Sequence, residues 1–110
     1  MLLALASAAA LTLSVSPSAH AVEVTGLNYL YLDENDVQQA GSIEDVAPYV
    51  CFAIPEVVST PLSAYNAFNT GETNATIYEN SNCTGYKAVL APDASGGPTK
   101  FRSVKFTLIN

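Results

Sequence analysis

The sequence predicts an all-β sandwich of two Greek-key motifs, preceded by an export signal. Three observations carry this reading. A polar hairpin between Tyr78 and Gly85 is followed by a strand that opens at Ser103. Short β-branched and aromatic runs, separated by Pro, Gly and Asn, fill most of the rest. Two cysteines stand in the chain with none left over, as in small secreted domains whose core needs a covalent staple.

The hairpin is the most informative stretch. Tyr78 and Gly85 are separated by six residues, and five of these (Glu79, Asn80, Ser81, Asn82 and Thr84) are polar turn-formers that cannot continue a buried strand. Gly85 is expected at positive φ, where a missing Cβ removes the steric penalty. Tyr78 is expected over the turn as an apolar lid with its hydroxyl in water. Ser103 sits where a later strand can pass under the turn and hydrogen-bond its exposed backbone.

The aromatic, the glycine and the later serine resemble the repeat of the βγ-crystallin family, with Tyr78, Gly85 and Ser103 on its three positions. That resemblance implies a sandwich of two Greek keys over residues 22–110. A faint internal repeat agrees: Leu32-Asp33-Glu34-Asn35 aligns with Ile77-Tyr78-Glu79-Asn80, and Ser63 to Phe68 aligns with Ser103 to Phe106. In the first half the aromatic becomes Tyr31, the glycine Gly41, and the serine Ser63 at a longer spacing. The pattern is also similar to small secreted fungal proteins that carry this domain. Many family members bind calcium through two Asn/Asp residues, two variable residues, a Ser/Thr and the key serine. Pro98 to Ser103 and Val58 to Leu62 lack those carboxylates and carboxamides, and Lys100 and Arg102 would repel a divalent cation. No metal and no cofactor is expected.

Residues 1–21 are uncharged, with an apolar run from Leu2 to Val15 and then Ser16-Pro17-Ser18-Ala19-His20-Ala21. This reads as a secretory signal cleaved after Ala21, although Lys or Arg is missing near its start. A membrane anchor is the alternative, but the run is shorter than the roughly 18 residues a span needs. The expected mature chain, 22–110, contains no histidine, since His20 is the only one. That removes the commonest general base, zinc ligand and partner of a nucleophilic Ser or Cys.

The formal net charge of −6 argues against nucleic acid or an anionic membrane as partner. The four basic residues, Lys87, Lys100, Arg102 and Lys105, all lie in the last quarter; Lys100, Arg102 and Lys105 read as a solvated strand face, with a small basic edge as the alternative. Among the acids, Asp33, Glu34 and Asp36 cluster at one turn. The cluster resembles the start of a calcium loop, but Val37 and the absence of a following glycine break the EF-hand pattern.

Taken in order, Val22 to Leu32 reads as a strand with Leu27, Tyr29 and Tyr31 on one face. Ser42-Ile43-Glu44-Asp45 carries the Ser-x-x-acid pattern of a helix start and predicts a turn of helix before Pro48. Tyr49 to Ile54, between two prolines, reads as a buried strand. Ser63 to Phe68 and Tyr86 to Leu90 are further strands, and Ala91 to Pro98 is an exposed loop. The closing strand alternates Val104, Phe106 and Leu108, expected inside, with Ser103, Lys105 and Thr107, expected in water.

Cys51 and Cys83 are expected to form one disulfide. Asn74-Ala75-Thr76 and Asn82-Cys83-Thr84 are N-glycosylation sequons whose use depends on the host. Carboxylate pairs such as Glu34 with Asp36 stand too close in sequence to read as a working acid and base. The expectation is a secreted, non-enzymatic module that acts by contact with an extracellular protein or glycan, as an effector, growth inhibitor or protease inhibitor. A structural or stress-protective protein without a specific target is the alternative. Exposed loops on a rigid sandwich offer such contacts. The candidates are Asp33, Glu34 and Asp36, where charge concentrates, and Asp93, Gly96 and Gly97, where glycine permits adaptation.

Overall fold

A computed structural model describes residues 24–109, so the expected signal at 1–21 lies outside the described residues. The described chain is all-β and forms two antiparallel sheets. In the first, β1 (Gly26–Leu32), β2 (Gln38–Glu44) and β4 (Tyr65–Asn69) pair in the order β2-β1-β4. In the second, β3 (Phe52–Ala53), β5 (Asn74–Tyr78), β6 (Lys87–Leu90) and β7 (Ser103–Thr107) pair in the order β3-β7-β5-β6.

The halves of the chain exchange segments. β3 comes from the first half yet pairs with β7, through Phe52 opposite Val104 and Ala53 opposite Ser103. In return, residues 93–97 run along β4, where Ser95 bridges Phe68 and backbone bonds join Asp93 to Asn69 (2.9 Å), Gly96 to Ala67 (2.8 Å) and Asn66 to Gly97 (3.1 Å). This reciprocal pairing ties the two sheets around one core.

The core follows from the period of two in the strands. Leu27 and Tyr29 of β1 point inward and are buried, while Asn28 between them is exposed. They meet Ala75 and Ile77 of β5, Val104 and Phe106 of β7, and the loop residues Ile54, Val57 and Phe101. Removing each large apolar side chain from water contributes about 1.5–3 kcal/mol. The Tyr29 ring stands edge-on to Phe101 at 6.1 Å, the orientation its quadrupole favours. Asn69, fully buried, satisfies itself by donating to the carbonyls of Thr73 (2.7 Å) and Leu90 (2.9 Å) and by accepting from Gly71 N (3.0 Å), so it fixes the β4–β5 turn.

Four expectations are corrected. Ser42 to Asp45 forms no helical turn: β2 pairs with β1 over seven residues, and Ile43 turns into the core. Seven ladder positions outweigh the weak local preference of a capping pattern. Gly41 is no hairpin glycine. It lies opposite Tyr29 in mid-strand, where an added Cβ would come within 2.4 Å of the Tyr29 ring. Of the apolar run Tyr49 to Ile54, only Phe52–Ala53 is strand; Ile54 is buried, whereas Tyr49 and Val50 are exposed at 59% and 52%. Ser103 is buried, and Leu108, at the end of β7, is only half-buried.

Candidate functional site

Two hairpins, β1–β2 and β5–β6, carry most of the residues that the sequence singles out. In the β5–β6 hairpin, Glu79 N donates to Tyr86 O (2.8 Å) and Asn80 N to Thr84 O (3.1 Å). Cys83 and Gly85 both take positive φ, +59° and +87°. A Cβ on Gly85 would meet Glu79 Cβ at 3.2 Å and sit closer still to the polar ends of Glu79 and Asn80, so glycine is required here twice over.

Ser103, at the start of β7, accepts from Cys83 N (3.0 Å) and donates to Asn80 O. One hydroxyl thus satisfies a donor and an acceptor that the turn leaves open. Tyr78 and Ser103 are register partners, and Tyr78 is half-buried. Cys83 is disulfide-bonded to Cys51, with Cα atoms 5.9 Å apart. This fastens the hairpin to the segment that leads into β3.

The β1–β2 hairpin is built from within. Asp33 N donates to Val37 O (2.9 Å), while Asp33 Oδ1 accepts from Asn35 N (2.8 Å) and Val37 N (3.0 Å), and Oδ2 accepts from Gln39 Nε2 (2.9 Å). The backbone donor of Val37, followed by Gln39 and Asn35, lowers the Asp33 pKa below the usual aspartate range. Asp36 holds φ +61°, and Glu34 and Asp36 project into solvent.

A cleft of about 360 Å³ opens beside this hairpin, lined by Tyr31, Leu32, Asp33, Glu34, Glu56 and Leu62 among others. It shares Leu32 and Leu62 with a smaller depression. That one shares Ser63 and Lys100 with a third, bounded by Glu79, Tyr86 and Thr99. Together they form a groove from one hairpin to the other, acidic at the Asp33 end and mixed at the Lys100 end. Beside the groove, the Tyr29 hydroxyl donates to Glu56. Burial, with the Glu56 hydrogen bond and charge acting in the same direction, raises the Tyr29 pKa far above the ordinary phenol value.

Between the hairpins, the Arg102 guanidinium donates to the carbonyls of Leu62, Thr60 (2.7 Å) and Val57 (3.2 Å). The carbonyls of this turn therefore converge on a fixed organic cation. Among the described residues, no group of three or more His, Cys, Asp or Glu is placed to hold a metal ion.

The fold brings Tyr78, Gly85, Ser103, Cys51 and Cys83 to one hairpin, and Asp33, Glu34 and Asp36 to the other. Asp93, Gly96 and Gly97 lie elsewhere, laid along β4. Gly96 covers the core, where a Cβ would approach Ile77 Cδ1 at 3.3 Å, and this loop's backbone is largely engaged by β4. Asn82 is exposed at the hairpin tip and accepts from Thr84 Oγ1, and Asn74 is half-buried at the start of β5. Glu56, Leu62, Lys100 and Tyr86, which line the groove, carry no sequence signature. Compared with protein families, with curated proteins and with solved structures, the chain finds no match in any of the three.

Proposed function

We propose that residues 22–110 are a βγ-crystallin-like pair of Greek keys, exported by the 1–21 signal. It acts outside the cell by surface contact, with no chemistry of its own. The exchange of β3 and of residues 93–97 between the sheets supports the Greek-key reading, as does Ser103 bonding under the Tyr78–Gly85 turn. The disulfide supports an oxidising, extracellular setting. Among the described residues, no helix is long and apolar enough to cross a membrane.

The observation that carries the contact reading is the β1–β2 hairpin. Its backbone is held by Asp33, so Glu34 is presented at the cleft and Asp36 in solvent on the same turn, with little ordering left to do on binding. A preorganised acidic loop beside a cleft suits a basic patch on an extracellular protein, as in an effector, growth inhibitor or protease inhibitor. Asn74 and Asn82 are proposed as glycan acceptors of the same exported protein.

The test is direct binding to a panel of secreted proteases and surface proteins, comparing the wild type with Glu34→Lys/Asp36→Asn. Asparagine tolerates the positive φ of Asp36, so the loop keeps its shape. The variant should lose at least about tenfold in affinity for the captured partner. Unchanged binding would refute the loop's role, and turnover of an ester, peptide or glycoside abolished by Glu56→Gln would refute the non-enzymatic reading.

A further inference from the structure

The outer face of the β2-β1-β4 sheet differs from the rest of the surface. A shallow depression of about 290 Å³ is lined there by Asn28, Leu30, Ala40, Ser42 and Asn66, among others, and none of its lining residues is charged although the chain carries a formal −6. Ser42, Asn28 and Phe68 form one cross-strand row, since Asn28 lies opposite both Ser42 on β2 and Phe68 on β4. Residues directly opposite on antiparallel strands share a face. Phe68 is 39% exposed there. Tyr65, opposite Leu30, reaches across the same face so that its hydroxyl donates to Gln38 Oε1 at 3.0 Å.

Between these two aromatics β4 is irregular. The β1–β4 register shifts between Asn28 and Leu30, and Asn66 sits at φ +52°. A bulge re-aims a side chain, and a non-glycine residue at positive φ is retained where the surroundings over-determine it. Asn66 is thereby directed to the rim of the depression. Among the described residues, neither the Asn28 nor the Asn66 carboxamide has a side-chain hydrogen-bond partner, so both are available to a ligand.

We infer that this face is a binding site for a neutral carbohydrate, one sugar ring at a time. Carboxamides and a serine hydroxyl offer both donors and acceptors, which is what the paired hydroxyls of a sugar require. The exposed Phe68 ring and the half-buried Tyr65 ring supply apolar platforms for its C–H faces. The lack of charge disfavours sulfated or carboxylated polymers, nucleic acid and charged peptide segments, which need compensating ions. The volume lies at the small end of ligand sites. This site is remote in composition from the acidic hairpin, and its assignment stands or falls separately from that loop.

The full chain should be titrated, by amide-resolved NMR, with cello-, laminari-, chito- and manno-oligosaccharides, with heparin as the charged control. The expected result is saturable shifts centred on Asn28, Ser42, Asn66 and Phe68 for at least one neutral series. Asn28→Ala, Phe68→Ala and Asn66→Gly should each weaken that binding at least about tenfold. Asn66→Gly keeps the positive φ at no steric cost, so it removes the carboxamide without disturbing the bulge. Glu34→Lys/Asp36→Asn should leave sugar binding unchanged, which separates this claim from the hairpin's. No shift from any neutral series, shifts centred on the groove instead, equal binding of heparin, or binding indifferent to Asn28→Ala and Phe68→Ala would overturn the assignment.

Discussion

The β1–β2 and β5–β6 hairpins are two solutions to one backbone problem. Each leading strand carries a second antiparallel neighbour, β4 beside β1 and β7 beside β5. The turns match as well, with Asp33 N bonded to Val37 O as Asn80 N is to Thr84 O, and with Asp36 (φ +61°) standing where Cys83 (φ +59°) stands. Ser103 of β7 bonds the second turn, whereas among the described residues no β4 side chain bonds residues 33–37. Asp33 caps the first turn from inside instead. One hairpin is locked by distant residues, Ser103 and Cys51, and the other by its own side chain. Local capping leaves the first loop correct in shape yet unattached to the rest, which is what a contact loop needs; non-local capping makes the second part of the scaffold.

The largest expected effect tests the non-local lock. Replacing both cysteines, Cys51→Ala/Cys83→Ala, should cost about 3.7 kcal/mol for the observed sequence separation of 32, in the chain-entropy account. Denaturant midpoints with unchanged m-values would measure it. The Asp33 hairpin should keep its amide shifts in the surviving folded population, because nothing in it depends on the bridge. A loss confined to a few tenths of a kcal/mol would mean that the second hairpin is held almost wholly by Ser103.

Next in size is Gly85→Val, expected to destabilise by about 1–3 kcal/mol. The new side chain must hold φ +87° and clear Glu79 and Asn80. The first hairpin has no counterpart glycine, since its shorter turn reaches Gln38 directly after Val37. Equal tolerance of valine at residues 38 and 85 would break the comparison.

How much of this could be read from the sequence depends on whether the signal was local. Tyr78, Gly85 and Ser103 were legible because each answers to one backbone need, and the disulfide because two cysteines allow one intramolecular pairing. Asp33 to Asp36 was legible as a turn, since four consecutive polar residues cannot lie buried. The strand β2 was not: Ser42 to Glu44 imitates a helix cap, and only the ladder with β1, set by residues more than ten positions away, decides against it. The internal repeat does not extend to its glycine, because Gly41 stands in mid-strand opposite Tyr29, a place set by the β1–β2 ladder. The 93–97 segment looked adaptable because Gly96 and Gly97 have no side chain. Pairing with β4 across the sandwich is invisible to composition. Arg102 was read as a solvated cation, and its carbonyl partners come from a turn some forty residues earlier.

The smallest expected effect separates the two caps by pH. Ser103→Ala should cost about 1 kcal/mol, by leaving the Cys83 amide and the Asn80 carbonyl without their partner, and this loss should not vary between neutral pH and mild acid because a hydroxyl does not titrate there. Asp33→Asn should cost less and vary with pH. The Asp33 pKa is lowered in the folded chain, first by the Val37 amide, so its contribution is complete above the ordinary aspartate value of about 3.9 and is lost only as pH falls through the lower folded value. Amide shifts of Asn35 and Val37 followed from neutral pH into strong acid should therefore stay constant down to the ordinary carboxylate range and move below it. The difference between wild type and Asp33→Asn should close over that same acidic window. A difference that closes near neutral pH, or persists after Asp33 is protonated, would show that the carboxylate is not what holds the first turn.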